Sequence, residues 1–201
     1  AYFDSIGIEL VAIVFMVLAC INFASHFRAW QEKSVLAYRH DSELPYFIGV
    51  LAASVIGVTL FLWANGVYSD FASTLRYAAF NTISVATNTG YATTDYAQWP
   101  VFAPLWLIFL GTFVACSGSA GGGIKMIRAM ILYRQVYREF TKLSHPSAIT
   151  PLKIGERVVP DGVVFSVLAF FFAWLATLVS MTLLLTLSGL DAITAFSAIV
   201  A

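Results

Sequence analysis

Apolar residues fill long blocks of this chain, and the polar stretches between them recur at intervals close to one membrane span. A helix needs roughly 20 mostly apolar residues to cross a bilayer. The block Ile6–Phe27, apolar apart from Glu9 and a few small polar groups, predicts a first spanning helix. The polar stretch Arg28–Glu43 follows as a loop, and Pro45 opens a second spanning block, Tyr46–Val67. A further block, Gly162–Leu187, predicts the last complete span.

Two segments do not fit this pattern. Asp70–Val85 is amphipathic and carries Arg76 and Asn81, too polar for a spanning helix. With Asp70 as N-cap, it predicts a helix of about 24 Å at most, one that enters the bilayer and stops partway. The polar loop Thr87–Tyr91 follows, and Thr93, Thr94 and Asp95 bring the chain back out. The second misfit is Pro100–Tyr137, which as one straight helix would run about 57 Å against a hydrocarbon core of roughly 30 Å. The run Gly118-Ser119-Ala120-Gly121-Gly122-Gly123 interrupts it. Each glycine costs a helix about 1 kcal/mol relative to Ala, so a break is expected there, near mid-membrane. Thr141–Pro160 reads as a polar loop. Ser188–Asp191 ends the last span and caps a short helix from Ala192 onward, so Asp70 and Asp191 hold the same place in a repeated unit of spanning helix, turn and short helix. The chain reads as a segment of a longer protein.

Composition sharpens this picture. Of the 201 residues, 60% are hydrophobic and 11% charged, against roughly 25% charged in a soluble domain. The zero net charge gives no indication of nucleic-acid binding. Arg28, Lys33 and Arg39 fall in one loop, and Arg128, Arg134, Arg138, Lys142, Lys153 and Arg157 in a second region. Segments expected on the opposite side carry Asp4, Asp70, Asp95 and Asp191, with Arg76 the only base. By the positive-inside rule the two basic regions are cytoplasmic. Trp63, Trp99, Trp106, Tyr68 and Tyr96 cluster where an aromatic belt would lie at the outer boundary. Cys20 and Cys116 read as small core residues without a disulfide, and His26, His40 and His145 as surface residues. Glu9 is the one acid inside an apolar block, so it is a candidate functional group by default, but its place near the outer end of its helix suits a solvated carboxylate. No nucleophile, base and orienting group fall together, so no enzyme is expected, and no organic cofactor.

Two constellations carry chemistry. A short helix entering from outside points its C-terminus inward, and that end attracts cations. The carbonyls of Thr87, Asn88, Thr89 and Gly90 then lie where a dehydrated cation could bind, with Gly90 free to take unusual backbone angles. An ordinary interhelical turn is the alternative. The second constellation is Gly118–Lys125: a helix broken in the membrane can swing, and Lys125 beside a conduction path would repel cations. The run resembles a phosphate-binding loop only in part, because Ile124 intrudes before the Lys and Met126 replaces the Ser/Thr that holds Mg²⁺. Close helix packing through small residues is the other reading.

These residues also carry a resemblance. Thr-Asn-Thr-Gly-Tyr reads close to the potassium-filter run Thr-Val-Gly-Tyr-Gly, whose carbonyls replace an ion's hydration shell. "NTISVATNTGYATTDYAQWP" with "CSGSAGGGIKMIR", supported by "YFDS" at Tyr2–Ser5 and "LSHPSAI" at Leu143–Ile149, resembles the third repeat of the TrkH family of bacterial potassium-uptake subunits, in the Trk/Ktr/HKT superfamily. The resemblance runs along nearly the whole chain. It implies an all-α, multi-pass transmembrane, potassium-channel-like fold of helix–pore-loop–helix repeats around a central pore. Residues 1–45 would be the second helix of repeat two and a loop. Residues 46–140 would be the complete third repeat, with pore helix 70–86, filter 87–91 and broken helix 100–137. Residues 141–201 would be a loop, the first helix of repeat four and the start of its pore helix. Thr87, Asn88, Thr89 and Gly90 would form one of four K⁺ filter strands, and Gly118, Gly121, Gly122, Gly123 and Lys125 a gating loop beneath it.

Relatives often carry Thr-Ala in place of Asn88-Thr89; the side chains need not face the ion, so this departure is expected to change little. They also often have Cys-Ala-Gly-Ser-Thr where this chain has Ala115–Ser119, which affects only the local hinge. The implied partners are K⁺, membrane lipid, a second copy in a homodimer and a soluble nucleotide-binding ring resembling TrkA. The implied place is the bacterial cytoplasmic (inner) membrane. An ion-coupled secondary transporter with a broken-helix substrate site is the alternative, and a non-conducting scaffold a third reading.

The charge bias generates a topology test. In the full protein, a cysteine introduced at Ala97 should be labelled by a membrane-impermeant reagent from outside, and one at Ser147 should not. The opposite pattern would invert the orientation.

Overall fold

The computed structural model describes residues 4–145, 150–155 and 157–200. Tyr2 and Phe3 of the Tyr2–Ser5 run, Pro146–Ile149 with the labelling position Ser147, Glu156 within the expected 141–160 loop, and the final Ala201 lie outside the described residues. The chain divides into two compact units, one extending to Lys125 and the other covering Met126–Val200.

In the first unit, Ile6–Phe27 is not one straight span: α1 covers Ile6–Ala19, α2 covers Phe23–Gln31, and the two are bent by 96° at Cys20–Asn22. Asn22 drives the break, because its side-chain oxygen caps α2 by accepting the Ala24 N–H at 2.9 Å. A 3-10 turn, Val35–His40, then leads into α3, Leu44–Ala64, with Pro45 in its first turn. At 21 residues and about 1.5 Å per residue, α3 is long enough to cross a membrane, and its composition is apolar enough to do so.

The half-length helix is present at the expected place. α4 covers Phe71–Ala86, and the Asp70 carboxylate accepts the Ser73 N–H at 3.0 Å. α4 packs between α3 and α5, the latter covering Phe102–Gly111. Their shared core is Val58, Leu62, Ala78, Trp99, Ala103 and Leu107. The aromatic belt is therefore only partly a belt. Trp63 is exposed, but Trp99 is buried and donates its indole N–H to the Tyr68 hydroxyl at 3.1 Å. The 3-10 turn Tyr96–Gln98, capped by Asp95, directs Trp99 back onto the core.

After α5 the chain stays non-helical through Lys125, so the break is longer than the glycine run that predicted it, beginning at Thr112. In the second unit, α6 covers Met126–Ser144, running past the expected end at Tyr137 and into the expected loop. A short antiparallel pair follows, β1 Lys153–Ile154 against β2 Arg157–Val158, with Lys153 opposite Val158. α7, Asp161–Leu187, is the second helix long and apolar enough to span. The Arg128 guanidinium sits 4.0 Å from the Phe170 ring centroid, and Arg138 pairs with Asp161 at 2.8 Å. α8, Ala192–Val200, follows a turn in which Asp191 accepts the Thr194 N–H at 3.1 Å. Asp191 thus repeats the cap that Asp70 makes on α4, in the same order of span, turn and short helix.

Glu9 is not solvated. It is buried, and its two carboxylate oxygens accept both Nε and Nη2 of Arg76, each at 2.7 Å, tying α1 to α4. Arg76 also reaches Asp4 at 2.7 Å. Burying the Glu9 carboxylate is costly unless it is paired and hydrogen-bonded. Arg76→Met should therefore lower the thermal unfolding midpoint more than Asp4→Asn, because Asp4 is 73% exposed and loses little. The double variant Glu9→Leu/Arg76→Met should recover part of the loss. Equal shifts for Arg76→Met and Asp4→Asn, read by thermal melts in detergent, would contradict the anchoring role of this pair.

Candidate functional site

The end of α4 shapes the loop at Thr87–Tyr91. Thr87 is the C-cap, and Asn88 follows with φ +54°. The Asn88 N–H donates to the Val85 carbonyl at 3.0 Å and the Thr89 N–H to the Ser84 carbonyl at 2.9 Å. This is a Schellman ending with Asn in the left-handed C′ position, a place where glycine is commonest and Asn is the other residue found. The Gly90 N–H points the same way, to Ser84 O at 3.4 Å, and Gly90 itself has φ +78°. The amides of residues 88–90 therefore turn back toward the helix. Among the described residues, none donates a hydrogen bond to the carbonyls of Asn88, Thr89 or Gly90. The Thr87 carbonyl receives only the weak Cys20 thiol at 3.5 Å.

Two further ties hold the loop. The Thr87 and Thr89 hydroxyls lie 2.8 Å apart. Asn81, fully buried on α4, accepts the Thr93 N–H at 3.3 Å and donates to the Thr93 hydroxyl at 2.9 Å, pinning the outgoing strand to the helix. On its other side the loop borders an open cleft of about 520 Å³ whose walls include Asp4, Glu9, Phe80, Gly90 and Tyr91.

The second constellation lies against the first. The loop after α5 wraps the bend between α1 and α2. The last carbonyls of a helix have no partner within it. Here the Ala19 carbonyl accepts the Ala120 N–H at 3.0 Å, and that of Cys20 accepts the Cys116 N–H at 3.1 Å. The Phe23 N–H donates in return to Gly118 O at 3.0 Å. From the other side, the buried Glu43 carboxylate takes the Ser117 N–H at 2.8 Å and its hydroxyl at 2.6 Å. Two broken segments meet here, and their backbone groups largely satisfy one another.

The glycines are required for different reasons. Gly118 and Gly123 have φ of +68° and +79°. A Cβ on Gly121 would collide with the Ala115 side chain, and one on Gly123 with the Thr112 carbonyl. Gly122 has room for a Cβ, with the Asn88 carboxamide 3.6 Å away. Lys125 differs from expectation. Its ammonium is not a lone charge but donates to the carbonyls of Ser119 and Gly121, closing the loop on itself. The structure thus brings Thr87–Gly90 and Gly118–Lys125 together within one compact unit.

Sequence reasoning missed two residues, Glu43 and Asn22, and the side chain of a third, Asn88. Glu43 and Asn22 fell in stretches read as plain loop and span. Asn88 was expected to contribute its carbonyl and its side-chain identity to change little, yet it supplies the left-handed residue at the helix end and its side chain accepts the Gly122 N–H at 3.0 Å. The signal available was chemical: Asn is the non-glycine residue most at home at a helix C′ position. Among the described residues no cluster of His, Cys, Asp or Glu is placed to hold a metal by side chains.

A half-length capped helix, a re-entrant loop with carbonyls lacking donors, and a broken helix beside it define a pore-loop membrane protein. The model of the TrkH family, "cation transport protein", matches residues 1–201, and the chain belongs to that family. It is 36% identical over 200 residues to the Trk system potassium uptake protein TrkH of Escherichia coli (strain K12), a match covering 100% of this chain and 41% of the relative. The TrkH of Halomonas elongata is 37% identical over 199 residues, covering 98% of this chain and 41% of that one. The crystal structure of the potassium transporter TrkH from Vibrio parahaemolyticus superposes with a TM-score of 0.94 at 35% identity, over 99% of this chain and 43% of that chain. The chain therefore spans about 41% of the length of these curated relatives. The expected all-α, multi-pass class is that of the family, and the family is one of transport proteins rather than enzymes.

Proposed function

We propose that this chain is part of a potassium-uptake subunit of the bacterial cytoplasmic membrane, in which Thr87, Asn88, Thr89 and Gly90 supply one strand of a four-part K⁺ filter. The observation that carries the reading is the set of carbonyls at Asn88, Thr89 and Gly90. They follow directly on the C-terminus of a half-length helix and receive no donor among the described residues. Asn88 and Thr89 are half-buried and Gly90 is exposed in this segment, so these carbonyls are open to a ligand, and at membrane depth the partners left for them are water or a cation. The negative end of α4 adds to the attraction for a cation. In the full protein three further strands complete the cage, and residues 46–140 form the complete third repeat. The recurrence of the Asp70 cap at Asp191 supports a fourth repeat beginning in the second unit.

Gly118, Gly121, Gly122, Gly123 and Lys125 form the gate in this reading. Their support is position: the loop lies against the filter strand, with Gly122 bonded to Asn88. The basic stretches on α6 and around Arg28 face the cytoplasm, where a soluble nucleotide-binding ring engages a homodimer of the subunit. Against the secondary-transporter reading, the two broken segments that meet at Cys20 and Cys116 bond to each other. That pairing uses up the groups a solute would need.

Two experiments on the full protein test the two halves of this reading. Gly90→Ser forces a side chain onto a backbone at φ +78°, at a cost of roughly 1–3 kcal/mol, while its Cβ meets open space. Membrane insertion should survive and the K⁺/Na⁺ flux ratio should fall; an unchanged ratio would remove Gly90 from the filter. For the gate, deleting Gly121–Gly123 shortens the obstruction and Lys125→Ala frees the carbonyls that its ammonium gathers. Both should raise K⁺ flux in the absence of the nucleotide-binding ring. Two folded variants that conduct like the parent would leave the loop as a packing element.

A further inference from the structure

We propose that the Asn88 side chain is a latch that holds the glycine loop closed against the filter strand, by accepting the Gly122 N–H on its carboxamide oxygen. Among the described residues this 3.0 Å bond is the hydrogen bond that joins residues 87–91 to residues 118–125. The proposal rests on the reading of Gly118–Lys125 as a gate.

The geometry assigns the role to the side chain rather than to the backbone. Asn88 occupies the left-handed C′ position of α4, at φ +54°, which turns its side chain away from the helix path and toward the loop. Its amide nitrogen lies 3.6 Å from where a Cβ on Gly111 would stand, so both ends of the carboxamide face the chain on either side of the break. The donor on Gly122 fixes which end of the amide faces the loop, because only the oxygen can accept.

The loop's other attachments have a different character. Gly118 bonds the Phe23 N–H, Ala120 and Cys116 bond helix-end carbonyls, and Ser117 is held twice by the buried Glu43 carboxylate. These ties secure the Cys116–Ala120 half. The Gly121–Gly123 half has one side-chain tether to the filter, and it is half-exposed Asn88. Gly122 itself has room around its backbone, with no contact closer than 3.6 Å at a Cβ position. The Glu43 half therefore acts as the fixed point; the glycine half is also tied locally, by the Ile124 N–H to the Thr112 carbonyl at 2.6 Å and by Lys125 to the Ser119 and Gly121 carbonyls, and the Asn88 bond is the one that must break for it to part from the filter strand.

The test is K⁺ flux through the full protein in proteoliposomes without the nucleotide-binding ring. Asn88→Gly keeps the backbone carbonyl and the left-handed conformation but removes the acceptor. It should raise K⁺ flux roughly two- to ten-fold, the effect of one net hydrogen bond on a closed–open equilibrium. Asn88→Asp retains an acceptor oxygen and should rise less than Asn88→Gly. Asn88→Ser, whose hydroxyl is too short to span the bond, serves as a second variant if Asn88→Gly does not reach the membrane. Flux that stays flat in these variants while deletion of Gly121–Gly123 raises it would overturn the latch and leave the gate standing. Flux that stays flat in the deletion as well would overturn the gate reading and the latch with it. Gly122→Pro removes the donor from the loop side and leaves the filter strand as it is, so it should raise flux as Asn88→Gly does; a rise in the Asn88 variants with none in Gly122→Pro would show an effect on the filter itself and would overturn the latch.

Discussion

A backbone polar group at membrane depth must find its partner within the protein, in water or in an ion, and the first unit is built around that requirement. α1 stops at Ala19, leaving carbonyls that a continuing helix would have used. The loop after α5 stops being helical at Thr112, leaving amides without helical partners. These two defects are placed against each other: Ala19 with Ala120, Cys20 with Cys116, Gly118 with Phe23. Each break would be costly alone, at several kcal/mol for every unsatisfied group in hydrocarbon. Together they form a small non-helical knot inside a helical protein. Glycine at 121 and 123 allows the approach, since a side chain at either place would strike Ala115 or the Thr112 carbonyl.

The loop proposed as a filter strand follows the opposite logic. Its amides turn back to the end of α4 and its carbonyls at 88–90 are left without donors. That asymmetry is what the proposed ion-binding role of this strand rests on. It survives because the loop is held at both ends: by the Schellman ending at Asn88 on one side and by the buried Asn81–Thr93 pair on the other. α4 is in turn anchored to α1 by the Glu9–Arg76 pair, which fixes the half-length helix along its flank instead of at its tip. Rigid support of this kind is what a selective cage needs, because a carbonyl ring discriminates ions only while its dimensions or field strength are held.

Much of this was legible in the residues. Blocks of apolar side chains marked α3 and α7, and the Asp70 cap with an amphipathic run marked α4. The glycine run marked the break, because helix propensity alone decides against three consecutive glycines. What the residues did not disclose depends on partners far away in the chain. Nothing near Glu9 announces Arg76, and an isolated acid near a helix end reads equally well as solvated. Ile6–Phe27 has the composition of a continuous span, and only Asn22, a good cap, hints at the 96° bend. Trp99 looked like an interfacial aromatic because hydropathy records depth, not the turn that folds a side chain inward. Asn88 was undervalued because its backbone was considered and its side chain was not.

The central claim is that the carbonyls of residues 87–90 hold a dehydrated cation. Crystals of the full-length protein grown with a heavy K⁺ analogue such as Tl⁺ or Rb⁺ would test it by anomalous scattering. The account predicts an anomalous peak on the pore axis, coordinated by backbone oxygens from this strand and from its three counterparts. A peak coordinated only by side chains, or one displaced from the Thr87–Gly90 strand altogether, would contradict it.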